Sequence, residues 1–188
     1  AVAAAIDEEL EPEEIAEIAA GIEPTDGIFY PGIVQMNYMT GELIKSYGNA
    51  PKMIIAMFDM GGSINTVEFH SEYHGHEESP KELLEAIDKL DEDFSPRQIA
   101  HVATLSALAN QKMVPKPHLE EIIKYAATLG ALGVNVAHSG TMVGVLFAPD
   151  ESMKHVMEAV EKIREKFPAL EYFETERLIS GGYDIEQR

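Results

Sequence analysis

The stretch GVNVAHSGTMVGVLFAPD, from Gly133 to Asp150, decides the fold class, because two apolar runs flank a small polar turn. The runs predict β-strands at residues 134–138 and 142–148. Outward from them, apolar spacing predicts helices at 99–110, 119–129 and 152–166 and a strand at 172–179. Strands paired in one sheet with helices on one face make an α+β domain.

The first third of the chain predicts a helix, a hairpin and a buried strand. Pro12 stands at a first-turn position of an apolar helical pattern that ends near Gly21. Apolar residues on both sides of Thr40-Gly41 predict a hairpin over 33–47. The apolar run PKMIIAMFDMGG (51–62) predicts a buried strand, which we expect in the same sheet as the hairpin.

Two helices are expected to start at the dipeptide Ser-Pro, at Ser79 and at Ser95. Serine is a favoured N-cap and proline suits the first helical position, so both serines are predicted to cap. Between these starts lies the acidic segment DEDF, the best candidate for a domain boundary. The predicted domains are residues 1–91 and 92–188.

Composition excludes several classes of function. The 188 residues include 33 acidic and 14 basic side chains, a formal charge of −19 that repels nucleic acid and anionic lipid. No apolar run is long enough to cross a bilayer. The chain has no cysteine, so a disulfide framework is excluded and the cytoplasm is the expected compartment.

The segment EPTDG, which begins at Glu23, is the first candidate for chemistry. The simpler interpretation, favoured by the pattern alone, is a turn in which Asp26-Gly27 is a common turn pair. The sharper one places Asp26 in a cleft, where a carboxylate accepts the proton of a substrate hydroxyl. Thr25 and Tyr30 would then contact or orient the substrate.

The turn AHSGT is the second candidate, since Ser139, Gly140 and Thr141 are small, hydrogen-bonding residues that let the backbone approach a ligand. The alternative is an ordinary hairpin with a polar tip. A third cluster, EFHSEYHGHEE, contains His70, His74, His76, Glu77 and Glu78. A solvated loop is favoured over a metal site there, because the spacing matches no known set of ligands.

Three blocks, IEPTDGIFYPGIVQMN, FDMGGSINTVEF and GALGVNVAHSGTMVGVLFAPD, resemble the GHMP superfamily of galactokinase, homoserine kinase, mevalonate kinase and phosphomevalonate kinase. Within it, the chain is most similar to the L-threonine kinases of propanediol utilisation and cobalamin side-chain synthesis. The resemblance implies a two-lobed α+β fold with a ferredoxin-like C-terminal lobe. It also implies that ATP and Mg²⁺ take part.

By the same resemblance, Asp26 is the catalytic residue and Gly61 and Gly62 shape a turn beside the cleft. The resemblance implies a substrate-binding set of Glu23, Thr25, Tyr30, His138, Ser139, Gly140 and Thr141. The family's glycine- and serine-rich ATP loop has no counterpart in the opening AVAAAIDEEL. We therefore expect a fragment with an incomplete N-terminal lobe, inactive by itself.

The function that the resemblance implies is phosphotransfer from ATP to the hydroxyl of a small metabolite, above all L-threonine. Two alternatives stay open: a GHMP kinase for another small alcohol, and a non-catalytic binding or regulatory module. The expected partners are ATP and a small-molecule substrate, with no nucleic acid and no membrane. The oligomeric state is left open, with a homodimer as one alternative.

Overall fold

The computed structural model describes residues 10–22, 25–62, 79–112, 114–137 and 140–181. The chain divides into two compact units. The first comprises Ala1–Pro51 and Ile179–Arg188, and the second comprises Lys52–Leu178. Among the described residues, no helix is long and apolar enough to cross a membrane.

The first unit contains the predicted helix and hairpin. Helix α1 (Pro12–Ala20) starts with a capping box formed by Glu11 and Glu14 and has Gly21 at its C-cap. Strands β1 (Ile33–Met36) and β2 (Leu43–Gly48) pair antiparallel in a two-stranded sheet. Both predictions are confirmed. They could be made because the proline at the helix start and the turn at Thr40-Gly41 are local signals that extend over only a few residues.

The second unit is built on a four-stranded antiparallel sheet. Its strands are β3 (Ile54–Asp59), β4 (Gly133–Val136), β5 (Met142–Phe147) and β6 (Glu171–Arg177). Their order across the sheet is β4-β5-β3-β6. With helices between β3 and β4 and between β5 and β6, this is the ferredoxin-like arrangement. The predicted α+β class is confirmed.

Helices complete the second unit. They are α2 (Lys81–Asp88), which continues into a 3₁₀ turn at Lys89–Asp91, then α3 (Pro96–Asn110), α4 (Leu119–Thr128) and α5 (Met153–Lys166). The core has Phe58 and Phe147 from the sheet, both fully buried, against Ile122 of α4 and Ile163 of α5. Burying side chains of this size contributes about 1.5–3 kcal/mol each.

Helix α3 covers the free edge of the sheet at β4. The hydroxyl Oγ1 of Thr104 donates to the carbonyl of Ala100 at 2.7 Å and accepts from the backbone N–H of Val134 at 2.9 Å. An edge strand leaves a row of backbone groups without a strand partner, and Thr104 satisfies one of them. This contact fixes β4 just before the AHSGT turn.

The prediction that the hairpin and the run 51–62 share one sheet was wrong. Strand β3 pairs with β5 and β6, both much later in the chain. The compact units divide between Pro51 and Lys52. The domain boundary after residue 91 stays a prediction from the sequence. The segment DEDF connects two packed helices, since the amide of Gln98 donates to the carbonyl of Ala86 at 2.8 Å.

The two Ser-Pro starts have different outcomes. Ser95 is an N-cap, and its hydroxyl accepts from the backbone N–H of Gln98 at 3.2 Å, as predicted. At the other site the N-cap is Pro80, and no side chain caps α2, so the prediction for Ser79 was wrong. The register of a helix start is decided by the packing of its apolar face as well as by the cap residue.

Candidate functional site

Asp26 lies exposed at the start of a tight turn in the first unit. The turn is held on one side by the backbone N–H of Thr25, which donates to the carbonyl of Tyr38 at 3.0 Å. On the other side the N–H of Tyr30 donates to the carbonyl of Gly27 at 3.1 Å. Asp26 therefore presents its carboxylate to solvent from a backbone that is fixed on both sides.

Tyr30 anchors this turn from inside the unit. It is 5% exposed, and its hydroxyl donates to the carbonyl of Gly41 at 2.7 Å. Burial raises the pKa of the phenol above its ordinary value of 10.0, and the carboxylate of Glu13 adds to the rise. Of the two predicted roles, contact or orienter, the geometry favours the orienter, since the hydroxyl is already engaged.

Gly41 makes the anchor possible. Its φ is +78°, and a Cβ there would lie 2.5 Å from the backbone carbonyl group of Ala16 in α1. Only glycine combines this backbone conformation with so close an approach. Helix α1 and the β1–β2 turn are thereby held together beneath Tyr30.

A second arrangement of polar groups lies in the other unit, where β3 ends beside the start of β5. Asp59 is the last residue of β3 and pairs with Met142, the first of β5. Its Oδ1 accepts from the backbone N–H of Gly61 at 2.9 Å, and its carboxylate is hydrogen-bonded to the side chain of Thr141. The Thr141 bond, and after it the Gly61 bond, lower the pKa of Asp59 below its ordinary 3.8.

Two neighbouring turns therefore meet at one end of the sheet. The N–H of Met60 donates to the carbonyl of Thr141 at 3.1 Å, which ties the residues after β3 to the β4–β5 turn. Gly61 and Gly62 have φ of +72° and +87° and so allow the chain to turn away directly after Asp59. The result is an ionised carboxylate beside small residues, a setting able to bind hydroxyl or ammonium groups.

Lys116 supports the far arm of the β4–β5 turn. It lies in the connection between α3 and α4, is 4% exposed, and donates from Nζ to the carbonyl of Ala137 at 2.7 Å. Desolvation by burial lowers the pKa of its ammonium below the ordinary 10.5. A charged group thus stands directly behind the turn that the sequence had singled out.

The structure places the predicted site residues in two groups. Thr25, Asp26 and Tyr30 share one turn of the first unit, while Gly140 and Thr141 share one turn of the second. Glu23, His138 and Ser139 lie outside the described residues, as does the histidine cluster between residues 70 and 78. Within the described part of the chain, no group of three His, Asp or Glu side chains could hold a metal ion.

Sequence reasoning missed two residues of the second arrangement, Asp59 and Lys116. A carboxylate at the end of an apolar strand, one residue before two glycines, was a usable signal for Asp59. The signal for Lys116 was weaker, a lysine between Pro115 and Pro117 in a short connection. Its burial depends on tertiary packing that no local pattern shows.

Comparison with known proteins shows which protein families the chain is similar to. A family model described as "GHMP kinases C terminal" matches residues 65–166, more than half of the chain. An L-threonine kinase of Citrobacter freundii is 23% identical over 196 residues, covering 99% of this chain and 67% of that protein. An L-threonine kinase of Salmonella typhimurium (strain LT2) is 24% identical over 162 residues, covering 84% of this chain and 53% of that protein.

Solved structures agree on the fold. The mevalonate kinase of Methanococcus jannaschii matches with a TM-score of 0.62 at 18% identity, covering 94% of this chain and 60% of that one. The L. major mevalonate kinase in complex with R-mevalonate gives 0.58 at 16% identity, covering 90% and 58%. The chain therefore spans between about half and two thirds of the length of these relatives.

Proposed function

Because the chain belongs to the GHMP kinase family, we propose that it takes part in transferring the γ-phosphoryl group of ATP to the hydroxyl of a small metabolite. The acceptor we propose is L-threonine, with O-phospho-L-threonine as the product. The observation that carries this choice is the match to two L-threonine kinases, which extends over 99% and 84% of the chain.

The group proposed to act on the acceptor is Asp26. In the reaction the hydroxyl oxygen forms a bond to the γ-phosphorus, the bond from that phosphorus to the bridging oxygen of ADP breaks, and the hydroxyl proton leaves. Phosphoryl transfer depends mainly on positioning and charge stabilisation, so the carboxylate orients the hydroxyl and receives its proton. The exposed position of Asp26 on an anchored turn supports this role.

The remaining site residues are proposed to bind the acceptor. On the turn of the first unit these are Glu23 and Thr25, with Tyr30 as the orienter. On the β4–β5 turn they are His138, Ser139, Gly140 and Thr141. The ionised carboxylate of Asp59 beside Thr141 supports this choice, because it can bind the ammonium group of an amino acid.

ATP is the phosphate donor that the proposal requires, and Mg²⁺ would neutralise part of its charge. In the described part of the chain no three carboxylate or imidazole groups are placed to hold a metal ion. Mg²⁺ in such sites is usually bound through one or two carboxylates together with the phosphates and water, so a cluster of three protein ligands is not required.

The proposal is tested by coupled ATP consumption, measured on the full-length product of the gene that encodes this chain. L-Threonine, L-serine and L-homoserine are offered as acceptors at equal concentration. We expect the highest kcat/KM with L-threonine. A preference for another alcohol would overturn the choice of acceptor, and no consumption with any acceptor would favour the non-catalytic module.

The variant Asp26→Asn tests the catalytic role within the same assay. Asparagine suits a turn as well as aspartate does, so the fold should be retained. Losing a general base lowers kcat by about 10²–10⁴-fold. The matched control is Asp150→Asn, which neutralises an exposed aspartate in the turn after β5. Equal kcat in both variants would indicate that Asp26 is an ordinary turn residue without a catalytic role.

A further inference from the structure

Lys116 is a buried charge without a carboxylate partner in the described part of the chain. Burying an ammonium is unfavourable unless it is paired, and a methionine would fill a similar volume without that cost. In a chain with 33 acidic residues, an unpaired buried cation is all the more unusual. What the ammonium contributes here is its hydrogen bond to Ala137.

The backbone of Lys116 is itself held in place. The side-chain amide of Gln111 donates to the carbonyl of Lys116 at 3.0 Å, and its Oε1 accepts from the N–H of Lys116 at 2.6 Å. The lysine side chain thus extends from a backbone position that is fixed to Gln111, the C-cap residue of α3. A charged donor on a fixed base restrains its acceptor in distance and direction.

The acceptor, Ala137, is the first residue after β4 and lies on one arm of the β4–β5 turn. Its own N–H donates to the carbonyl of Met142 at 3.0 Å, which closes the turn. The Cα of Gly140 lies close to it, since a Cβ on Gly140 would stand 3.1 Å from the Cβ of Ala137. The other arm of the turn contains Thr141 and is restrained by two contacts. The side chain of Thr141 is hydrogen-bonded to the Asp59 carboxylate, and its backbone carbonyl accepts from the N–H of Met60.

We propose that Lys116 is a positioning residue that clamps the Ala137 arm of the β4–β5 turn, so that Gly140 and Thr141 are presented to the acceptor substrate in one conformation. Asp59 clamps the opposite arm. The inference rests on the proposed function for its consequence in catalysis. The clamp itself is a property of the second unit and is measurable without any reaction.

The first experiment measures amide hydrogen exchange by NMR in Lys116→Met. The amides of Ala137 and Met60 report on the turn, because the acceptors of both lie within it or beside it. We expect their exchange to accelerate about tenfold, as for the loss of a charge-assisted bond. The control is Lys124→Met, which removes an exposed lysine paired with Glu120 on α4 and should leave both rates unchanged.

A second measurement needs no variant. An ammonium that is buried and hydrogen-bonded exchanges its protons slowly, whereas exposed ammonium groups exchange fast, so Lys116 should give a resolved ¹H–¹⁵Nζ signal. This covers the case in which Lys116→Met does not fold. Absence of that signal in the wild type, or unchanged rates at Ala137 and Met60 in a folded variant, would overturn the clamp.

The third readout separates positioning from mere stability. In the full-length gene product, Lys116→Met should raise the KM for the acceptor about tenfold or more and leave the KM for ATP near its wild-type value. A purely structural role would only lower the amount of active enzyme, with both KM values unchanged. If the wild type consumes no ATP, the proposed function fails, while the exchange rates still decide the clamp.

Discussion

Replacing Thr104 by valine removes one hydroxyl and keeps the shape of the side chain. In the native structure that hydroxyl accepts from the N–H of Val134, a fully buried residue of the edge strand β4. Valine has no acceptor, so the N–H loses its partner where water has little access. The β-branched shape is retained, and helix α3 therefore keeps nearly the same backbone preference.

The expected loss can be worked out from the two hydrogen bonds. Leaving a buried donor unsatisfied costs about 1–3 kcal/mol, and the bond from the hydroxyl to Ala100 adds little because that carbonyl belongs to α3. Since Thr104 itself is half-buried, we take the lower part of this range, about 1–2 kcal/mol. For a chain of 188 residues this lowers the Tm by about 2–8 °C.

The assay is thermal and urea unfolding of the wild type, Thr104→Val and the control Thr104→Ser. Serine retains the acceptor and loses only a methyl group, about 0.8 kcal/mol or less. Wild type should be the most stable and the valine variant the least. Exchange at the Val134 amide should accelerate in the valine variant alone. A valine variant as stable as the wild type would refute the idea that Thr104 secures the edge of the sheet.

Two further predictions concern contacts that hold the turns of the candidate site in place. Gly41→Ala should lower the free energy of unfolding of the first unit by more than about 2 kcal/mol. The added Cβ would clash with the backbone of Ala16, and alanine disfavours the positive φ at this position. Gly48 has a φ of +93° and open space around it, so Gly48→Ala should cost only the free energy of the unfavourable backbone conformation. Equal losses of stability in the two variants, measured by urea unfolding, would refute the close approach between Gly41 and Ala16. Because the pKa of Asp59 is lowered on folding, its ionised carboxylate stabilises the second unit at pH values above the ordinary pKa of 3.8. This stabilisation is lost as the pH falls through the lowered pKa of the folded state. Between pH 6 and pH 3 the wild type should therefore lose more stability than Thr141→Val, and parallel pH profiles would contradict the bond between Asp59 and Thr141.

Much of the local structure could be predicted because its signals lie within a few residues. The cap at Ser95, the hairpin about Thr40-Gly41 and the apolar run of β3 each depend on side chains close in sequence. The pairing of β3 could not be predicted, because its partners β5 and β6 lie far along the chain. Which apolar strands pair is decided by helix packing over the whole unit, and no period in the sequence records it.

The candidate site shows the same limit. Small residues in AHSGT and a turn aspartate at Asp26 were visible as types of residue. The clamp on the first of these turns comes from Lys116, 21 residues earlier in the chain, through one hydrogen bond to Ala137. Its place between two prolines is only a weak signal, and the burial that separates Lys116 from an exposed lysine is visible in the structure alone.

Direct observation of the product is the closest test of phosphotransfer from ATP to L-threonine. The full-length gene product is incubated with ATP, Mg²⁺ and L-threonine and followed by ³¹P NMR. We expect one phosphate monoester signal, that of O-phospho-L-threonine, appearing together with ADP in equal amount. ADP accompanied by inorganic phosphate alone, or no change in ATP with any of the three hydroxyl amino acids, would contradict phosphotransfer to a small alcohol.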